Sequence, residues 1–123
     1  MANIIELTIQ TEKIDNIFVM RLQGALNAFT TNKFLDEVKT SLKKGGLILD
    51  MEELNLISSI GVKAIKEVLN ISFNAEKKII LLNLSTHAKQ VFDMMKLTGL
   101  FIIAPNEEIA MKKASNLMRL QEK

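Results

Sequence analysis

LILDMEELNLISSIGVKAIKEVL, residues 47–69, decides how the chain folds. It opens with an apolar run, Leu47-Ile48-Leu49, that ends at Asp50. A polar connection follows, then Ile57-Ser58-Ser59-Ile60-Gly61, and from there apolar residues return at helical spacing. The pattern reads as strand, loop, helix, with two adjacent hydroxyls where the helix begins. A serine there has an ordinary use as N-cap, its oxygen accepting a hydrogen bond from a free N–H of the first turn. A helix N-terminus is also an anion site, because its unpaired N–H groups and its dipole point outward. Ser58 and Ser59 are thus either caps or a place where a phosphate can be carried.

Working outward from this stretch, the strand Leu47–Asp50 shows no polar alternation, as expected where both faces are covered. The helix is expected from about Ser59 to Phe73, with Val62, Ile65 and Leu69 on one line and Ala64, Val68 and Ile71 beside it. Toward the C-terminus, Ile79–Leu82 (IILL) reads as a central strand. Ser85 or Thr86 caps a helix whose stripe is Ala88, Val91, Phe92 and Met95. Gly99 follows it, and Leu100–Ile103 is a last short strand. Asn106 caps a final helix lined by Ala110, Ala114, Leu117 and Met118, with a polar end, residues 119–123, expected to fray. Toward the N-terminus, Ile4–Ile9 reads as an edge strand, Asp15-Asn16 as a turn, and Ile17–Leu22 as a more buried strand ended by Gly24. Residues 25–32 form a polar connection, with Thr30 or Thr31 capping an amphipathic helix over Asn32–Lys43 that Gly45-Gly46 stops.

The order is β-β-α-β-α-β-α-β-α, a single α/β domain over residues 1–123. The first pair of strands is antiparallel, and each later strand returns parallel through a right-handed crossover. Composition narrows the function. Sixteen basic and fourteen acidic side chains leave a net charge of +2, too balanced to point to nucleic acid. There is no cysteine, so no disulfide frame or thiolate metal site. A single histidine, His87, reads as a surface or capping residue, not a catalyst. No apolar run approaches the roughly 20 residues of a membrane span, and the N-terminus lacks the basic region of a signal peptide. A cytoplasmic protein is the simplest reading. No GxGxxG or GxxxxGK[ST] motif supports a nucleotide-binding enzyme.

Three segments in this order resemble the STAS domain of the bacterial anti-sigma factor antagonists. The first is Arg21–Thr30, in which Gly24 is followed by Asn27, where the family usually has Asp, and by Thr30. The second is Leu49-Asp50 with Ile57–Val62. The third is Ser85–Met94 with Leu97, Gly99, Leu100 and Phe101. The family's phosphorylatable serine stands two residues before the glycine. Anchored on Gly61 this is Ser59, and Ser58 is the alternative if the register slides by one. With Ser59 in that place, Ser58 falls where many members have Asp.

The resemblance implies a switch protein and not an enzyme. Unphosphorylated, it would bind a serine-kinase anti-sigma factor and so release a sigma factor. The kinase would phosphorylate Ser59, and a PP2C-type phosphatase would reset the switch. ATP and magnesium would belong to the kinase, so no cofactor is expected in this chain. The implied contact surface comprises Asn27, Thr30, Ser58, Ser59, Ile60, Gly61, Val62 and Lys63. No contact with nucleic acid or membrane is expected, and the chain should be a monomer or a weak dimer, the latter through Met94, Met95 or Phe101, which read more simply as core or its rim. The loss of acidic groups at Asn27 and Ser58 favours one alternative, a STAS scaffold that is never phosphorylated and serves another signalling or lipid-transport assembly. A second alternative leaves both serines as caps in a small enzyme, for which the sequence offers no cluster of titratable groups.

Overall fold

The computed structural model describes residues 6–75 and 79–121. Among these residues, five strands and four helices follow in the order β1 (Leu7–Ile14), β2 (Ile17–Leu26), α1 (Thr31–Lys44), β3 (Gly46–Ile57), α2 (Ser59–Asn74), β4 (Ile79–Leu82), α3 (Thr86–Met94), β5 (Ile102–Ala104) and α4 (Glu107–Gln121), with a 3-10 turn at Thr98–Leu100 before β5. The sheet runs β1-β2-β3-β4-β5. β1 and β2 are antiparallel, and the other neighbours are parallel. Because each parallel strand is laid beside the one before it, right-handed crossovers place α1, α2 and α3 on one face. α4 comes after the last strand and covers the other.

This layering explains the unbroken apolar run of β3. Leu47 and Leu49 belong to the core under α1–α3, while Ile48 belongs to the core under α4 with Val19, Ile80, Ala110 and Ala114. Both faces of the strand are dry, so hydrophobic alternation has nothing to report. On the α4 face, Arg21 ties three elements together. Its guanidinium donates to Glu107 Oε1 at 2.7 Å and to Asp50 Oδ2 at 2.9 Å. The bond to Glu107, more than that to Asp50, holds the arginine above its ordinary pKa, against partial desolvation.

Several element bounds differ from those expected. β1 begins at Leu7 and runs to Ile14, not over Ile4–Ile9. The polar residues Gln10–Lys13 are paired to β2 along an edge strand whose side chains face water, which hides them from a hydrophobic pattern; Ile4 and Ile5 lie outside the described residues. Gly24 does not end β2. It sits at φ +114° inside the strand, and a Cβ there would lie 2.2 Å from the Glu6 carbonyl oxygen. The backbone bulges around it, and the pairing to β3 shifts between Arg21 and Gln23 and again between Gly24 and Ala25. Ala25 and Leu26 are therefore strand, not connection.

The largest correction concerns residues 51–56, expected as a loop. They continue β3, with Met51, Leu54 and Ile57 buried and the residues between them exposed. That period of three follows from the register shifts and matches neither the strand period of two nor a helix stripe. At the other end of the domain, Leu100 lies in the 3-10 turn and β5 starts only at Ile102. α4 continues through Gln121, so the helix takes in residues 119–121, in keeping with the good helix formers Arg119, Leu120 and Gln121. The side chain of Met118 lies outside the described residues. Met95, expected in the stripe of α3, falls beyond the last turn and is exposed, as is Met94. Neither is core, because α3 stops at Met94 and buries only Ala88 and Phe92.

Candidate functional site

The two serines have different jobs. Ser58 is the N-cap of α2, with extended backbone, and its Oγ accepts the Gly61 N–H at 3.1 Å. Its own N–H donates to Leu26 O at 3.0 Å. Ser59 is the first helical residue and its side chain is exposed. The N–H groups of Ser59 and Ile60, the first two helical residues, have no partner within the helix by construction. They and the helix dipole lie beside the Ser59 hydroxyl. Lys63, also exposed, follows one turn later at the i+4 spacing that places it on the same face.

Gly61 brings the second half of the site into place. A Cβ at this position would lie 2.3 Å from Leu26 O and 3.1 Å from Ile57 Cγ2. The glycine is needed for close approach of α2 to the end of β2, not for an unusual backbone angle. Gly61→Ala should accordingly destabilise the fold by about 1–3 kcal/mol, read as a lower midpoint in urea with an unchanged slope.

The loop that follows Leu26 is thus held beside the start of α2. Within it the Thr30 hydroxyl accepts the Asn27 N–H and donates to Ala25 O, both at 2.9 Å. Asn27 Oδ1 accepts the Phe29 N–H at 2.9 Å. Thr30 stands at the N-cap of α1, but its hydroxyl makes no cap hydrogen bond, and neither it nor Thr31 caps the helix as expected. The loop's internal bonds use that oxygen instead.

Of the eight residues expected at the contact surface, Ser59, Ile60 and Lys63 are exposed, and Asn27 and Ser58 are half-buried. Thr30, Gly61 and Val62 are buried, so they shape the surface without presenting a side chain to it. The structure adds two apolar residues that sequence reasoning missed. Phe29 is 83% exposed at the tip of the loop, and Leu56 is exposed at the end of β3. With Ile60, also exposed, they put apolar side chains on the segments that surround the serines. An aromatic residue in an otherwise polar connection was the available signal for Phe29; Leu56 lay in a segment read as loop.

His87 does not stand free on the surface. It is half-buried, and its Nε2 accepts the Ile57 N–H at 3.0 Å, one residue before the serine pair. Among the described residues no group of three or more His, Asp or Glu side chains is placed to hold a metal. No helix among them is long and apolar enough to cross a membrane.

A family model for the STAS domain matches residues 8–110. BtrV of Bordetella bronchiseptica, named as a candidate anti-sigma factor antagonist, is 27% identical over 101 residues, 80% of this chain and 87% of that protein. A Thermotoga maritima structure, again described as a candidate anti-sigma factor antagonist, superposes with a TM-score of 0.78 at 17% identity, covering 87% of this chain and 94% of that one. The anti-sigma factor antagonist SpoIIAA in its unphosphorylated form gives 0.73 at 24% identity over 89% and 97% of the two chains. The phosphorylated form of the Bacillus SpoIIAA gives 0.66 at 24% identity over 86% and 98%. At these identities the structural likeness speaks for the fold alone.

Proposed function

The chain belongs to the STAS domain family, and on that premise we propose that it is an anti-sigma factor antagonist switched by phosphorylation of Ser59. In the unphosphorylated state it binds a serine-kinase anti-sigma factor in the cytoplasm, and the sigma factor held by that kinase is released. The kinase, with its own ATP and magnesium, transfers a phosphoryl group to the Ser59 hydroxyl, and a PP2C-type phosphatase removes it. The chain itself performs no chemistry.

The observation that carries this reading is the division of labour between the serines. Ser58 Oγ is occupied as the cap of α2, whereas Ser59 is exposed and has the α2 N-terminus beside it and Lys63 one turn on. A phosphoserine brings about −1.5 to −2 charges at pH 7. Both neighbours favour that charge, so the fold tolerates it. Around the serine, Phe29, Ile60 and Leu56 supply exposed apolar side chains of the kind that anchor an interface.

The test is mass spectrometry of the protein isolated from its own cells, with peptides mapped across Asp50–Lys63. A mass increase of about 80 Da, that of one phosphoryl group, is expected on Ser59 and absent from a Ser59→Ala variant. Phosphate on Ser58 would retain the switch and shift its register by one. No phosphate under any growth condition would defeat the switch and leave an unmodified STAS scaffold. The missing acidic groups at Ser58 and Asn27 are the observation that favours that second reading.

A further inference from the structure

β4 ends at Leu82 and pairs with β3 only from Leu47 to Asp50. β3 continues to Ile57, and among the described strands only β2 accompanies it there. The opposite edge of Met51–Ile57 should therefore present unpaired backbone groups, which is costly where the side chains are buried. The first turn of α3 takes the place of the missing strand. The Ser85 N–H donates to Met51 O at 3.2 Å. Ser85 Oγ donates to Leu54 O at 2.6 Å while accepting the Ala88 N–H at 3.0 Å. His87 Nε2 accepts the Ile57 N–H at 3.0 Å. The three clamped residues are those that recur at the period of three along this half of β3.

We infer that His87 is a positioning residue for Ser59. It fixes the last peptide of β3, and through Ile57 and the Ser58 cap it fixes where the Ser59 hydroxyl is offered. The role requires a neutral imidazole with its proton on Nδ1, because Nε2 must keep its lone pair for the Ile57 N–H. Side-chain volume alone cannot supply this contact. Glutamine can, since its carbonyl oxygen reaches about as far as Nε2, whereas alanine and leucine cannot. The effect on Ser59 rests on the phosphorylation reading above. The clamp itself does not, so the two are tested separately.

The clamp is read by nitrogen-15 NMR on the full chain. The expected result is a neutral His87 with Nδ1 protonated, and amide exchange at Ile57 and Ser58 that rises at least tenfold in His87→Ala and His87→Leu and returns in His87→Gln. A proton on Nε2, or unchanged Ile57 exchange in His87→Ala, would overturn it. The functional half is read as the fraction of Ser59 phosphorylated in cells. A drop of at least threefold is expected for the alanine and leucine variants, with recovery in the glutamine variant. Loosened Ile57 exchange together with wild-type phosphorylation would overturn the positioning role. A wild-type protein that never carries phosphate would instead refute the switch and leave the clamp to be judged by exchange alone. Should His87→Ala fail to fold, the contrast between the similar-sized leucine and glutamine variants carries both readouts.

Discussion

Phe92→Ala should lower the unfolding free energy by about 3–5 kcal/mol, the cost of removing a buried aromatic side chain and leaving its cavity. Phe92 is fully buried, and its ring lies 5.8 Å from that of Phe101 at an interplanar angle of 42°. The cost should fall near the upper end of the range for a reason specific to α3. The helix has nine residues and buries only Ala88 and Phe92. A helix of that length has no independent stability in water, so Phe92 is its main anchor to the sheet. For a domain of this size the loss corresponds to a fall in Tm of about 10–20 °C. Met94→Ala, two residues along the same helix but exposed, should stay within about 0.5 kcal/mol of the parent. Urea melts of both variants would check the pair. A change below about 1 kcal/mol for Phe92→Ala would mean that α3 is held by its N-terminal hydrogen bonds and not by its ring.

The contrast between these two positions also shows where sequence reading succeeds. Strands covered on both faces announce themselves as continuous apolar runs, and Leu47–Asp50 and Ile79–Leu82 were legible for that reason. The buried stripes of α1 and α2 and the position of Phe92 followed from a period of 3.6. Where two regularities overlap, the signal is lost. The second half of β3 is a strand whose register is shifted by bulges near Gly24, and its apolar residues recur every third position. No single periodicity describes it, so it reads as a polar loop. Met95 failed in the opposite sense, since the stripe is present but the helix has already ended.

Of the candidate site, the start of α2 at the serine pair was legible, because a serine just before a helical apolar stripe reads as a cap. That Ser58 is consumed as a cap while Ser59 faces water depends on a hydrogen bond that no spacing rule distinguishes from its neighbour. His87 was invisible as a partner of Ile57 because the contact joins residues thirty apart through a helix standing in for a strand. Phe29 was read as part of a polar connection, and that its ring stands out at the tip of the loop is a result of the folded loop.

Phosphorylation of Ser59 should weaken binding of the anti-sigma partner by about 30- to 150-fold, or about 2–3 kcal/mol at 1.4 kcal/mol per decade. The penalty arises at the partner and not within this chain. Inside the domain, the α2 N-terminus favours an anion by about 0.3–1 kcal/mol, and Lys63 adds a cation at i+4. Ser59→Asp should therefore melt at or slightly above the parent temperature. In the proposed complex the same dianion would be desolvated beside the exposed apolar side chains of Phe29, Ile60 and Leu56, where an unpaired charge is costly. Aspartate carries a single charge without the tetrahedral bulk, so Ser59→Asp should lose about tenfold, and Ser59→Ala less than about threefold. Titration calorimetry of the unphosphorylated parent, the phosphorylated protein and the two variants against the anti-sigma factor isolated from the same cells would check the series. Raising ionic strength should recover part of the loss if the residual repulsion is between exposed charges. Equal affinity for the alanine and aspartate variants, with both folded, would remove electrostatics from the switch and assign it to shape at the Ser59 surface.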